Sequence, residues 1–226
     1  MAKVSKPKSA PGIDMTPMVD LAFLLVTFFM LSANFRTDEV VPVDVPASIA
    51  ETVIPNDMLV RVTVDDKGRV YYGITAKGDV KKNVLARISE KYKIPFTKEQ
   101  VEKFEKISDF GCSVNQLPKY LELEEHDRQA FVDQSFGIPT DSTNNQLKDW
   151  ITAGRSEMLA YGEGEFLAAK AKQLDVKAVD FKPKFVLKVD GKADYIYAKK
   201  VVETFRDLKE NNLSFITSLK ADPRKQ

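Results

Sequence analysis

An apolar run near the N-terminus dominates the hydrophobic pattern of the chain. From Pro17 to Phe35 there are nineteen residues, and Asp20 is the only ionisable one among them. A helix of that length, at about 1.5 Å per residue, is roughly 28 Å long, close to the hydrocarbon thickness of a bilayer. The pattern predicts a single transmembrane helix over residues 14–35. A buried helix of a soluble domain is the alternative.

Polar residues occur in this run at regular spacing. Thr16 is suited to the N-cap and Pro17 to the first helical position, where no amide donor is missed. Asp20, Thr27 and Asn34 follow at intervals of seven, and such positions drift by only about 20° around a helix. They therefore form one polar stripe, which has to face protein or water rather than lipid.

The carboxyl group of Asp20 is the main candidate for chemistry. An ionised Asp within a span costs about 2.5–3.5 kcal/mol on insertion scales, and this helix supplies no cation to offset that cost. Either the carboxyl group is protonated or it faces a polar cavity built by another protein. A group that changes between these states is suited to moving protons across a membrane. The alternative is an Asp that favours the helix dipole and reaches the interface.

The flanking charges give the run an orientation. The predicted tail, residues 1–13, has no acid and carries Lys3, Lys6 and Lys8, whereas the charges after the run are mixed. The positive-inside rule then places the N-terminus in the cytoplasm and the long C-terminal part in the periplasm of a Gram-negative cell. A cleaved signal peptide is disfavoured by the length of the run and the acid inside it.

Residues 36–57 are predicted to link the span to a periplasmic domain. Val41, Val43 and Val45 alternate in this segment, while the neighbouring prolines forbid a central strand. A plain spacer is one interpretation. An edge segment to which a partner adds a strand is the other.

Residues 58–226 have the pattern of an α+β domain. Alternating valines on both sides of an Asp-Asp-Lys-Gly turn predict a β-hairpin. The predicted order is β-β-α-β-α-β with the helices on one face of the sheet. These elements are Leu59–Val64, Val70–Ile74, Val80–Tyr92, Lys184–Val189, Tyr195–Glu210 and Phe215–Leu219.

A helical insertion of residues 94–180 is predicted to interrupt this domain. Its helices are expected to be separated by turns at Gly111, at Gly137 and at Gly162–Gly164, and Trp150 is expected to be a core anchor of the insertion. The predicted helices are Lys98–Asp109, Asn115–Leu123, Thr143–Ala160 and Glu165–Leu174.

Composition excludes several classes of function. The net charge of +1 over 226 residues gives no basic face for nucleic acid. Cys112 is the only cysteine and His126 the only histidine, and the latter lies in an acidic run where we expect it to be solvated. Nucleophile-elbow, phosphate-loop and zinc-protease motifs are absent. We expect no enzyme activity, no cofactor and no metal.

Two segments together carry a resemblance to a known family. The run from Asp14 to Met30 contains Thr16, Pro17 and Asp20 as a TP-x-x-D pattern at the start of an N-terminal span, and Val43–Ser48 follows. In these features the chain resembles the ExbD/TolR family of biopolymer-transport proteins. The C-terminal part of the chain is similar to the family's closing strand-helix-strand.

The resemblance implies a mechanism. Family members are dimers inside a ring of a multi-span partner of the ExbB/TolQ type, and the acid that matches Asp20 is protonated and deprotonated on the proton pathway. Thr27 falls where a polar residue lies beside the pore. Proton flow then drives motion that is delivered to a TonB-like protein and energises transport across the outer membrane.

The insertion distinguishes this chain from short family members. It implies an ExbD-like subunit with an enlarged periplasmic domain and an additional partner or gating role. A TolR-like envelope-maintenance subunit, or a subunit of a gliding or secretion motor, is the alternative on the same chemistry. A single-span tether that only binds periplasmic partners is the alternative of a different class.

Overall fold

A computed structural model gives the arrangement of most of the chain. The chain divides into two units, Met1–Thr37 and Asp38–Gln226. The structure describes residues 15–32, 47–48, 58–77, 79–141, 143–174, 177–210, 212–216 and 218–219.

The first unit contains one described helix, α1, which spans Thr16–Ser32 and has 17 residues. Residues 33–35, the last three of the apolar run, lie outside the described residues. Within the described part of the chain, no helix combines the length and the apolar character needed to cross a membrane.

The second unit mixes strands and helices, as predicted for an α+β domain. Its strands are β1 (Ala47–Ser48), β2 (Leu59–Val64), β3 (Val70–Thr75), β4 (Asp109–Phe110), β5 (Thr140–Asp141), β6 (Asn144–Asn145), β7 (Lys184–Val189), β8 (Leu213–Ile216) and β9 (Ser218–Leu219). Its helices are α2 (Val80–Tyr92), α3 (Lys98–Lys106), α4 (Leu117–Glu122), α5 (Glu125–Gln134), α6 (Gln146–Ala171) and α7 (Tyr195–Asp207), with a 3₁₀ turn at Ala178–Phe181.

The main sheet has five strands in the order β4-β3-β2-β7-β8. β2 and β3 form the predicted antiparallel hairpin, β7 runs parallel to β2, and β8 runs parallel to β7. Val62 at the centre pairs with Tyr72 on one side and Leu187 on the other. Two further pairs of short strands are β1 with β9, which are parallel, and β5 with β6.

Helices α6 and α7 cover the same face of this sheet. Because side chains alternate along a strand, Val60 and Val62 share a face with their partners Phe185 and Tyr72. The Tyr72 ring lies 5.7 Å from the ring of Trp150 in α6, and the Phe185 ring lies 5.8 Å from a phenylalanine ring of α7. The prediction that helices pack on one face is confirmed for these two.

Trp150 is fully buried, as expected, but its contacts extend beyond the insertion. Its ring lies 6.0 Å from Phe104 and 4.8 Å from Phe110, in addition to Tyr72 of the hairpin. The Tyr72 hydroxyl donates a hydrogen bond of 2.8 Å to the Trp150 carbonyl oxygen, and burial raises the pKa of Tyr72. Insertion and sheet therefore share one hydrophobic core.

Two predictions about the insertion are wrong. The break expected at Gly162–Gly164 is absent, since α6 is continuous to Ala171. A side chain at Gly162 would overlap the carbonyl oxygen of Phe181, so this glycine permits close packing rather than a turn. The predicted helix Lys98–Asp109 ends at Lys106 and is followed by β4, which extends the main sheet.

Helix α5 was not predicted at all. It includes His126, which is exposed to solvent as expected. Among the residues of α5 whose side chains the structure describes, Val132 alone is buried. A helix with so few buried positions has no apolar stripe for a sequence pattern to reveal.

A buried ion pair holds the hairpin turn against α5. One oxygen of Asp65 accepts hydrogen bonds from the amides of Lys67 and Arg69, and the other accepts from Arg69 Nε at 2.6 Å and from the Tyr71 hydroxyl at 3.1 Å. Arg69 Nη1 donates in turn to the Val132 carbonyl at 3.0 Å. Burial opposes the charge of Arg69, but the hydrogen bond and charge of Asp65 outweigh it and raise the Arg69 pKa.

Replacing Asp65 tests this connection. Asp65→Asn leaves the Arg69 guanidinium buried without its main counter-charge, which is expected to lower the free energy of unfolding by about 3 kcal/mol. The matched control is Asp66→Asn, one residue along and exposed, with an expected change below about 0.5 kcal/mol. Urea unfolding of the full chain in detergent, followed by fluorescence of the single tryptophan, measures both. Equal stabilities of the two variants would contradict the role of the ion pair.

Cys112 provides an independent test of the core. Its side chain is fully buried, and burial raises the pKa of its thiol to about 12. At pH 8 only about one thiol in 10⁴ is then ionised, and thiolate is the reactive form. We expect a thiol reagent to modify the native chain only after unfolding in urea. Asn212→Cys, at an exposed position, is the control that should react at once. Rapid modification of native Cys112 would show that the core is open.

Candidate functional site

Helix α1 exposes apolar side chains along its whole length. An α-helix has about 3.6 residues per turn, so a nearly unbroken run of apolar residues over several turns points apolar side chains in every direction around α1. The exposed large hydrophobic residues of the helix are Met18, Val19, Leu21, Phe23, Leu24, Leu25, Val26, Phe28, Phe29, Met30 and Leu31.

Asp20 projects from this apolar surface and is exposed. No residue in the described part of the chain forms an ion pair or a hydrogen bond with it. Thr27 is partly exposed, and its hydroxyl donates to the Leu24 carbonyl at 2.9 Å. With its hydrogen engaged in this way, the Thr27 oxygen presents lone pairs to any outside donor.

The helix geometry places Asp20 and Thr27 on one side of α1. Seven residues correspond to about 10 Å along the axis and nearly two full turns. Asn34, the third position of the predicted stripe, lies outside the described residues. Of the three positions of the predicted stripe, the structure therefore locates Asp20 and Thr27 on the same side of α1. They supply an ionisable group and a hydrogen-bond acceptor.

The helix begins at Thr16 itself, one residue earlier than the capping assignment implies. The amide of Val19 donates to the carbonyl of Met15 at 3.0 Å, which makes Met15 part of the first turn. Pro17 lies within this turn, where its missing amide hydrogen leaves no bond unmade.

The predicted partner segment falls largely outside the described residues. This applies to Val41, Val43 and Val45. Directly after them, Ala47 pairs with Ser218 in the parallel strands β1 and β9, an arrangement that the sequence pattern did not predict.

Other candidate sites in the second unit are accounted for by structural contacts. A groove of about 270 Å³ between α2 and α6 is lined by charged residues. Lys91 Nζ and the Tyr92 hydroxyl contact the two oxygens of Asp149 at 2.5 and 2.6 Å, and Arg87 pairs with Glu157. These contacts hold the two helices together. Among the described residues, no cluster of three or more His, Cys, Asp or Glu side chains is arranged to hold a metal ion.

One conspicuous surface residue was missed by sequence reasoning. Phe136 is 97 % exposed in the loop between α5 and β5. Its sequence context, Ser-Phe-Gly-Ile, gives no signal of exposure because the neighbouring Ile138 is buried. Only the fold shows that Phe136 is exposed while Ile138, two residues further on, is buried.

Comparison with known proteins supplies the family. The family model described as biopolymer transport protein ExbD/TolR matches residues 6–220, nearly the whole chain, including α1 and the insertion. No curated protein and no solved structure matches the chain. On the extent of the family match, this protein is a member of the ExbD/TolR family of biopolymer-transport proteins.

Proposed function

We propose that the chain is the proton-channel subunit of an inner-membrane energy-transducing complex of the ExbB–ExbD–TonB type. Such a complex uses the proton motive force to drive TonB-dependent transport across the outer membrane. Family membership supports the transport role. The observation that carries the proposal is the exposed Asp20 carboxylate on an otherwise apolar helix, with no partner among the described residues.

The proposal treats residues 14–35 as a membrane anchor. The exposed side chains of α1 support this, because burying each Val, Leu or Phe in hydrocarbon is favourable by about 1.5–3 kcal/mol. The three lysines of the preceding tail favour a cytoplasmic N-terminus. The domain that follows residues 36–57 then lies in the periplasm, and the protein spans the inner membrane once.

Asp20 requires polar surroundings, which the described residues of the chain do not provide. We assign these surroundings to a multi-span ring protein of the ExbB/TolQ type, inside which two copies of α1 are held as a homodimer. Asp20 takes up a proton from one side of the ring and releases it to the other. Thr27 and Asn34 on the same stripe line the water-accessible path. The chain acts by this proton transfer and not as an enzyme.

The segment that contains Val41, Val43 and Val45 is the proposed contact for a TonB-like protein. Its alternating pattern is that of a chain able to pair as a strand. Ala47, two residues after Val45, pairs with Ser218 in a parallel strand pair. This supports the proposal, because the chain adopts a strand conformation close to the end of the segment.

A second candidate is a TolR-like subunit, or one from a gliding or secretion motor. The family description covers both ExbD and TolR, which favours keeping this candidate. Both candidates use Asp20 in the same way and differ in the protein that receives the motion. Purification of the detergent-solubilised complex and identification of the co-purifying protein distinguish them.

Replacing Asp20 tests the proposal. Asp20→Asn keeps the size and removes the ionisable group, so proton flux through the assembled complex in vesicles should fall at least about tenfold, as for loss of an essential proton-transfer group. Asp20→Glu should retain part of the flux. Growth that depends on an outer-membrane receptor should be lost with the flux.

The matched control is Asp127→Asn, an exposed acid of α5 in the second unit, which should change neither flux nor growth. Assembly with the ring protein is measured for every variant. If Asp20→Asn assembles normally and retains wild-type flux and growth, the protein is a tether rather than a motor subunit.

A further inference from the structure

Exposed large apolar side chains gather at one end of the second unit. Phe136 is 97 % exposed, Tyr195 is 76 % exposed, and Ile196 and Tyr197 at the start of α7 are also exposed. Exposed large apolar side chains grouped at one end of a domain are candidates for a binding surface. We call these four residues the aromatic end.

The Phe136 loop and the start of α7 both lie against the β2–β3 turn. On one side of it, the Ile138 amide donates to the Val70 carbonyl at 2.9 Å, which fixes the Phe136 loop beside the first residue of β3. On the other side, Gly68 lies directly against the Tyr197 ring, where a larger residue would overlap it. Phe136 and the start of α7 thus flank the same turn.

Phe136 is held in its exposed position by the residues before and after it. The Ser135 hydroxyl donates to the Gly111 carbonyl at 2.7 Å and accepts from the Gly137 amide at 3.1 Å. Gly137 has a φ of +77°, which a residue with a side chain would adopt only under strain. An aromatic ring presented by such a fixed loop loses little conformational entropy when it is buried by a partner.

The short strand pair β1–β9 lies at this same end of the main sheet. Ile216 of β8 pairs with Lys188, next to the end of β7, and Ser218 just beyond pairs with Ala47 of β1. Residues 33–46 between Ser32 and Ala47 can extend to at most about 50 Å. A tether of this length between the proposed membrane anchor and β1 gives the domain a high local concentration of membrane.

We propose that the aromatic end rests in the headgroup region of the bilayer in which α1 is anchored. Tyrosine suits this region because its ring is apolar and its hydroxyl stays hydrated, and Phe136 and Ile196 supply side chains that enter the acyl boundary. The proposal depends on the membrane anchor of the proposed function. It adds a second, reversible membrane contact made by the periplasmic domain.

The charges at this end indicate which force holds the contact. The β2–β3 turn carries exposed Asp66 and Lys67, and the loop before α7 carries exposed Lys192 and Asp194. These charges balance, so attraction to anionic lipid contributes little. Burial of the apolar side chains is then the driving force, and the contact should persist in high salt.

Site-directed labelling of the full chain in phosphatidylcholine vesicles tests the proposal. A fluorophore at Lys192→Cys reports on the aromatic end without altering its four residues, and one at Asn212→Cys reports on the opposite end of the sheet, next to Leu213. Native Cys112 is buried and stays unlabelled. Lipids with a nitroxide at the headgroup should quench the Lys192→Cys label about threefold more than the Asn212→Cys label.

Two further variants complete the design. Phe136→Ser with Tyr195→Ser should abolish the excess quenching, whereas added salt or phosphatidylglycerol should not change it. A label at Met30→Cys in α1, read with acyl-chain nitroxides, reports separately on the anchor.

Quenching of the Met30→Cys label with equal, weak quenching at Lys192→Cys and Asn212→Cys would overturn the membrane contact and leave the anchor intact. Absence of quenching at Met30→Cys would overturn the anchor and the contact together. The label at Lys192→Cys could also be shielded from iodide in water without being quenched by lipid. That result would mean that protein, such as a second copy, covers the aromatic end, and the proposal would be wrong.

Discussion

The cost of placing a carboxylate in apolar surroundings is the constraint on which this protein depends. Asp20 stands on a helix whose other side chains favour hydrocarbon, and no described residue neutralises it. A helix of this kind is stable in a membrane only if other chains surround the carboxylate with polar groups or if the carboxylate takes up a proton. The first response requires a partner, and a carboxyl group that alternates between the two states is suited to moving protons. Family membership and the physical argument therefore point in the same direction.

The second unit is built so that insertion and sheet behave as one body. The ring of Trp150 packs between the hairpin residue Tyr72 and two phenylalanines of the insertion, and Asp65 and Arg69 connect the hairpin turn with α5. Because a close-packed core transmits strain, a force on the insertion is carried to the sheet and to the strands next to the linker.

Local sequence patterns predicted part of the fold correctly. They failed where contacts between residues distant in sequence determine the structure. The predicted hairpin, β7 and α7 are confirmed. Their patterns of hydrophobic residues, alternating in the strands and spaced by helical turns in α7, lie within short continuous segments. β4 was missed because its two residues become a strand only through pairing, with Phe110 opposite Tyr72. Gly162 suggested a break because the carbonyl against which it packs is remote in sequence. In the site, spacing alone put Asp20 and Thr27 on one side of α1, whereas the exposure of Phe136 depends on loop contacts that no local pattern encodes.

Infrared difference spectroscopy of the purified complex in membranes addresses the central claim most directly. A protonated carboxyl group absorbs separately from a carboxylate, so a change in the protonation of Asp20 under an imposed proton gradient is visible as a carbonyl band. The account predicts a band that appears with the gradient in the wild-type complex and is missing in Asp20→Asn, while Asp127→Asn retains it. A wild-type complex that conducts protons with no such band, or with a band that survives Asp20→Asn, would contradict it.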